Sequence, residues 1–279
     1  EIIQIQSRLT IAKSVQIIEI TKEIYRDWQN EKKYIQTPDW LNATGNNPIP
    51  SFMPGHLWMI GGYTSVGKSS WLAQMVTDLC LQGTRVLIFS MEDSSKEKVI
   101  KLIANISDTS QKRLLIGDLG ENKERIGRAI NIINTWELIC YDTCFDVEDF
   151  RLKIKKHKMQ GGIDIVCIDF IQNLIEKGSL YERMSNAITM LQRIAKEFEI
   201  SIIVLSQVSN EAMKGDTGII GFKGAGELAS ASDISIWLRR SKENEKWLDC
   251  EILKNRPFGV TGIIPLQFSE HWTRIERRH

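Results

Sequence analysis

Eight consecutive residues, Gly62-Tyr63-Thr64-Ser65-Val66-Gly67-Lys68-Ser69, fit the phosphate-binding pattern GxxxxGK[ST]. The chemistry open to such a run is polyanion capture. Gly62 and Gly67 let the backbone curl, so that successive N–H groups face phosphate oxygens. Lys68 would bridge the β- and γ-phosphates of ATP, and the Ser69 hydroxyl would ligate Mg2+. Tyr63, Thr64, Ser65, Val66 and Ser70 complete the expected cradle. A chance match in an ordinary turn would lack a strand before it and a helix after it; both are present here.

Four further positions carry groups suited to work on a triphosphate. Asp169 closes an apolar run and is expected to hold Mg2+, in part through water. Glu92 closes another and would accept a proton from attacking water, unless it is only an exposed acid opening a helix. Gln207 both donates and accepts, and would sense the γ-phosphate or merely cap its strand. Lys254 and Arg256 alternate onto one side of a late strand. Offered across a subunit boundary, such a pair would neutralise transition-state charge; spacing alone equally allows a solvated hairpin turn.

These groups need a scaffold. Residues 57–60 read as a buried strand, and 70–81 as a helix with Leu72, Met75, Val76 and Leu79 inward. Strands follow at 85–90, 138–141, 163–169 and 200–206. Between them lie a Ser94- or Ser95-capped helix through Val99, Leu102 and Ile103, one or two short helices over 108–134, an Asp146-capped helix, and a long helix over 179–198. Apolar strands alternating with helices predict an α/β fold, with a mostly parallel central sheet covered by helices on both faces. Ligands of such folds gather at the carboxyl ends of the strands, where Glu92, Asp169 and Gln207 all fall. Strands near 234–238, 247–253 and 262–266, and a last short one near 272–275, lack intervening helices and predict antiparallel pairing at that end. Upstream, Ile17, Ile20, Ile24 and Trp28 mark an N-terminal helical arm over 14–28. It either packs on its own domain or docks on a neighbouring copy. Residues 37–51 read as a loop or linker, and 208–226 as a polar, glycine-rich segment.

The 279 residues carry a net charge of +1, with 42% hydrophobic and 25% charged side chains. That balance is ordinary for a globular protein, whose length allows one large α/β domain plus an arm or two small domains, and it excludes a basic coat for nucleic acid. No apolar stretch reaches membrane length and no secretory signal is seen, so a cytoplasmic protein is expected. Cys80, Cys140, Cys144, Cys167 and Cys250 are odd in number and lack zinc-ligand spacing, so they are expected as free thiols. Glu1 rather than Met opens the chain, as expected for a piece of something longer.

The ordered set GYTSVGKS (62–69), VLIFSMEDS (86–94), DIVCIDFIQNL (164–174), LQRIAKEFEISIIVLSQ (191–207), KGAGELASASD (223–233) and ILKNRPFGVTG (252–262) resembles the RecA-type ATPase domain of DnaB-type replicative DNA helicases. The resemblance covers about residues 35–276, which implies a RecA-like ATPase domain over 35–279 preceded by an arm over 1–34. It implies a RecA-like P-loop core and a homohexameric ring with ATP at each boundary. It also implies a motor that translocates on single-stranded DNA and unwinds duplex. Lys68 and Ser69 then hold phosphate and Mg2+, Asp169 holds Mg2+, Glu92 activates water and Gln207 reads the γ-phosphate. Lys254 and Arg256 become fingers for the neighbour's ATP, and Lys223, Gly224 and Gly226 contact the DNA backbone. The arm is similar to the linker helix that docks on the adjacent subunit. The family usually shows Arg-Glu where Lys223-Gly224 stand, and Lys-Gln-Arg-Asn-Gly where residues 254–259 read Lys-Asn-Arg-Pro-Phe-Gly. No counterpart of its helical N-terminal domain, nor a primase-contacting segment, is visible, so primase or loader contacts are expected outside this chain. Two other readings share the ATP site: a RecA/RadA-like recombination ATPase that forms filaments, and a non-motor switch in which ATP drives assembly.

Overall fold

The structure is a computed structural model that describes residues 17–29, 34–41, 48–143, 146–174, 180–208 and 231–278. The chain divides into two compact units, Glu1–Tyr34 and Ile35–His279. In the first, helix α1 (Ile17–Gln29) leaves Ile17, Ile20, Ile24 and Trp28 exposed along one side. These residues recur every three or four positions, the spacing of a single helical face.

The second unit opens with two short paired strands, β1 (Ile35–Gln36) and β2 (Ser51–Phe52). Between them Trp40, Leu41 and Ile49 are buried, and the Trp40 indole donates to Asp78 Oδ2 at 2.7 Å. The expected linker over 37–51 is thus, in its described residues, part of the core. Its prolines set turns, while its apolar side chains gain more by burial than they would in solvent.

Strand β3 (Leu57–Tyr63) runs into helix α2 (Lys68–Leu81), then β4 (Val86–Ser90) and helix α3 (Ser95–Ser107). Short helix α4 (Gln111–Leu115) and helix α5 (Lys123–Ile133) precede β5 (Leu138–Tyr141). Helix α6 (Val147–Gln160), β6 (Ile165–Asp169), helix α7 (Leu180–Phe198) and β7 (Ser201–Val208) follow. The chain closes with β8 (Ile234–Arg240), β9 (Trp247–Asn255), β10 (Gly262–Phe268) and β11 (Ile275–Arg277).

Nine of these strands form one sheet, in the order β11-β10-β9-β8-β3-β7-β6-β4-β5. From β8 through β5 every neighbour is parallel; β8 to β11 pair antiparallel. The antiparallel end therefore begins one strand later than the helix spacing predicts. β8 pairs parallel to β3 on one side and turns directly into β9 on the other.

Strand alternation sorts the core into two layers. Trp58, Ile60, Ile88, Cys167, Ile203 and Leu205 face Trp71, Leu72, Met75 and Leu79 of α2. Leu57, Met59, Phe89, Ile168, Ile202 and Val204 face Phe150 and Ile154 of α6 and Met184, Ile188, Leu191 and Ile194 of α7. Each such side chain contributes roughly 1.5–3 kcal/mol by leaving water. Among the described residues Cys80, Cys140, Cys167 and Cys250 are free thiols; burial pushes Cys80 and Cys250 up to about 12. Cys144 lies outside the described residues.

Candidate nucleotide-binding and hydrolysis site

The parallel strands align their carboxyl ends by register. Gly62 of β3 stands beside Gln207 of β7 and Leu238 of β8, and Ser90 of β4 beside Asp169 of β6. One edge of the sheet therefore collects the loop, the two carboxylates and the amide that the sequence singles out.

The loop itself is shaped by close approach. A Cβ at Gly62 would come within 2.8 Å of Val66 Cγ1 and 3.0 Å of the Leu238 carbonyl oxygen. Gly67 has φ 112°, a conformation open to glycine, and a Cβ there would meet the Phe268 ring at 2.7 Å. Gly67 caps α2 without a side chain, so the first-turn N–H groups are left for an anion. Lys68 Nζ donates to the carbonyls of Gly62 at 3.0 Å and Tyr63 at 2.8 Å. Burial lowers its pKa to about 8, although Asp169 and Glu92 pull the other way. Thr64 and Ser65 are exposed on the loop, and Ser69 and Ser70 lie half-buried in the first turn of the helix.

Asp169 is buried at the end of β6, with its carboxylate on the Lys98 ammonium. Asp93 Oδ2 lies 3.0 Å from Lys98 Nζ and 2.7 Å from Lys101 Nζ. Burial opposes charge on Asp93, but the hydrogen bond from Lys101 and the nearby Lys98 charge outweigh it and hold its carboxyl below the usual range. Burial likewise opposes charge on Lys98, and the two aspartates outweigh it to raise its pKa. Glu92 is exposed just past the end of β4; desolvation and repulsion from Asp169 and Asp93 raise its pKa, a shift that favours proton uptake. Gln207 Nε2 donates to Thr64 Oγ1 at 2.8 Å. Gln172 in turn donates to Ser206 Oγ and the Gln207 carbonyl, at 2.9 and 2.7 Å.

The donor set fits Mg2+. The Asp169 carboxylate and the Ser69 hydroxyl are hard oxygen donors of the kind Mg2+ takes. Among the described residues no three acidic, His or Cys side chains converge on a metal. An ion here would complete its shell with phosphate and water, the usual habit of Mg2+.

Lys254 and Arg256 lie at the opposite edge. Lys254 is in β9 and Arg256 just past its end; their neighbour Asn255 pairs with Ile234, the first residue of β8. Ile234 pairs forward to Trp58, and Gly62 lies roughly 13 Å further along that strand. Lys254 Nζ donates to the Ser232 carbonyl at 2.6 Å, and burial lowers its pKa. Arg256 is 70% exposed, with Nη1 3.7 Å from Asp233 Oδ1. Lys223, Gly224 and Gly226 fall outside the described residues.

Three features escaped the sequence. Lys98 occupies the inward face of α3 with Leu102 and Asn105, while Val99 is exposed. Its four-residue spacing from Leu102 was the available signal. The Ser94 cap sets this phase through a capping box with Glu97. Arg240 stacks on Phe268 and Trp272, its Cζ 4.0 and 4.9 Å from the ring centres, next to Gly67. Those three residues come from separate parts of the C-terminal end, and no periodicity connects them. Asp233 accepts from the Leu57 N–H at 3.0 Å, so it ties the first residue of β3 to the Arg256 end of the sheet.

A family model described as the DnaB-like helicase C terminal domain matches residues 46–277. A replicative DNA helicase DnaB of Buchnera aphidicola subsp. Baizongia pistaciae is 25% identical over 272 residues, covering 88% of this chain and 58% of its own. Among solved structures, an ATPase domain aligns with a TM-score of 0.82 at 20% identity, over 96% of this chain and all of its own. A DnaB-like replicative helicase studied with primase aligns with a TM-score of 0.78 at 20% identity, over all of this chain and 70% of its own. Both share the RecA-like fold. This chain spans about half the length of the curated relatives it matches.

Proposed function

The chain belongs to the DnaB-like helicase C terminal domain family, and from that membership we propose that it is the ATP-driven motor of a replicative DNA helicase. ATP with Mg2+ sits on the Gly62–Ser70 loop. Lys68, now on the Gly62 and Tyr63 carbonyls, would turn to the phosphates, and Ser69 and Asp169 would hold the metal. The metal, when bound, neutralises phosphate charge. Glu92 takes the proton of the attacking water, a role its raised pKa favours. Gln207, now on Thr64, transfers its hydrogen bond to the γ-phosphate and passes that change to the segment following β7.

The observation that carries the reading is the separation of the two edges. Lys254 and Arg256 stand at the start of the parallel strands and the loop at their ends, which supports a site completed by a second copy. On this reading a second copy supplies the fingers, and a ring of copies, six by family resemblance, is the functional assembly. The bare apolar side of α1 is the surface we assign to docking on the adjacent copy, with 1–34 as arm and 35–279 as motor. Lys223, Gly224 and Gly226 are assigned to the single-stranded DNA backbone. Binding there should be sequence-independent and weakened by salt. A primase or loader would be met through segments beyond this chain.

Subunit mixing tests the shared site. Lys68→Ala lacks the loop cation and Arg256→Ala lacks the finger, so each alone should be inactive. Mixed and reassembled, they create boundaries with an intact loop facing an intact finger, and ATP turnover on oligo-dT should reappear. Mixtures as dead as their components would show that the finger does not act in trans.

A further inference from the structure

We propose that Lys98 is a built-in counter-ion at the metal carboxylate: without nucleotide its ammonium holds Asp169, and Mg2+ must displace it toward Asp93. This rests on the nucleotide site described above and extends it to the order in which its ligands enter.

The geometry carries the inference. Lys98 is 7% exposed and Asp169 1%, so this is an interior pair, not a surface contact. Lys98 sits on the carboxylate that the nucleotide reading assigns to the metal, and Asp169 lies near enough to Lys68 of the phosphate loop for their charges to interact. Lys98 also has a second acceptor within reach, Asp93 Oδ2 at 3.0 Å. Release from Asp169 therefore leaves the ammonium paired, and avoids stranding a buried charge.

Competition follows from charge. Free Mg2+ gains only one carboxylate and one hydroxyl here, and it gives up tightly held water to do so. Mg2+ carried by a triphosphate brings its own oxygen ligands, and Lys68 moves onto the phosphates at the same moment. Lys98 thus makes metal entry depend on nucleotide entry. Its shift toward Asp93 also moves positive charge along the turn that holds Glu92. Lys98 is here a positioning residue; it acts through Asp169.

The test is a Mn2+ titration followed by electron paramagnetic resonance, with neither nucleotide nor DNA present. Lys98→Met should bind Mn2+ roughly ten- to hundredfold more tightly than the unaltered protein. Adding Asp169→Asn should abolish that gain, and Lys98→Arg, which keeps a cation, should show none. Circular dichroism melting identifies which variants are folded. Unchanged Mn2+ affinity in folded Lys98→Met, or a gain that survives Asp169→Asn, would overturn the proposal. If Lys98→Met does not fold, the unaltered protein still decides. The Lys98 Cε–Nζ NMR signals should shift on adding Mg2+ with a non-hydrolysable ATP analogue, but not the analogue with EDTA. Signals indifferent to Mg2+ would overturn it equally. The titration involves no turnover, so its failure leaves the motor reading intact, and that reading has its own test in subunit mixing.

Discussion

Gln207 at the end of β7 donates its side-chain hydrogen bond to Thr64 of the phosphate loop, at 2.8 Å. Two segments 143 residues apart are thereby joined at the phosphate loop. A neutral hydrogen bond of this kind contributes about 0.5–1.5 kcal/mol. Thr64→Ala should thus change ATP affinity by only a few-fold. Gln207→Ala should leave affinity similar but lower the turnover gained on adding oligo-dT by about tenfold or more. Steady-state kcat and KM with and without DNA separate the two. Equal losses with and without DNA would argue against a sensing role.

Lys68 sets a pH dependence. Its pKa in the free protein is about 8, lowered chiefly by burial. Bound phosphate should raise it, so the nucleotide complex holds a proton that the free protein has lost above pH 8. ATP affinity should be flat below about pH 8 and then fall by up to about tenfold per unit. Calorimetry in buffers of different ionisation enthalpy should show proton uptake on binding at pH 9 and little at pH 7. For folding the sign is opposite. The folded pKa lies below the unfolded one, so this group's contribution to stability rises with pH between about 8 and 10.5.

Arg240, Phe268 and Trp272 form a cationic and aromatic cluster beside Gly67, with the two rings tilted by 35°. We expect the nucleobase to stack there, since guanidinium and aromatic planes suit a base. Arg240→Ala should weaken ATP binding by roughly tenfold while inorganic tripolyphosphate binds as before. Competition binding with the two ligands measures the difference.

The α1 side bearing Ile17, Ile20, Ile24 and Trp28 is exposed. If it docks on a second copy, Ile20→Asp with Ile24→Asp should shift the assembly to smaller species and lower turnover in step. Light scattering across a concentration series would show it. An unchanged mass would remove the helix from the assembly.

Ser94 fixes the start of α3 by a reciprocal box with Glu97. Ser94→Ala should cost about 1 kcal/mol of stability, read by denaturant melting. It should also loosen Lys98, and so should tighten nucleotide-free Mn2+ binding slightly.

The amino-acid sequence by itself determined the family and most of the fold, and it named the candidates for the chemistry. The loop from Gly62 to Ser69 declares its role because phosphate needs that local backbone. Asp169, Glu92 and Gln207 stood out as candidates because apolar runs end on them, and the strands carry them to the same end of the sheet. Alternating apolar strands and helices left few arrangements besides a covered parallel sheet. Tertiary structure alone decided three things. It packed Trp40 and Ile49 of an apparent linker into the core, because long-range burial outweighs local turn signals. It seated Lys98 on Asp169, because the phase of a capped helix chooses which side chain turns inward. And it set Lys254 and Arg256 at the far edge from the loop, because the antiparallel turn from β8 into β9 carries the chain back along the sheet. Strand direction is a property of pairing, and pairing joins residues that are distant in the chain.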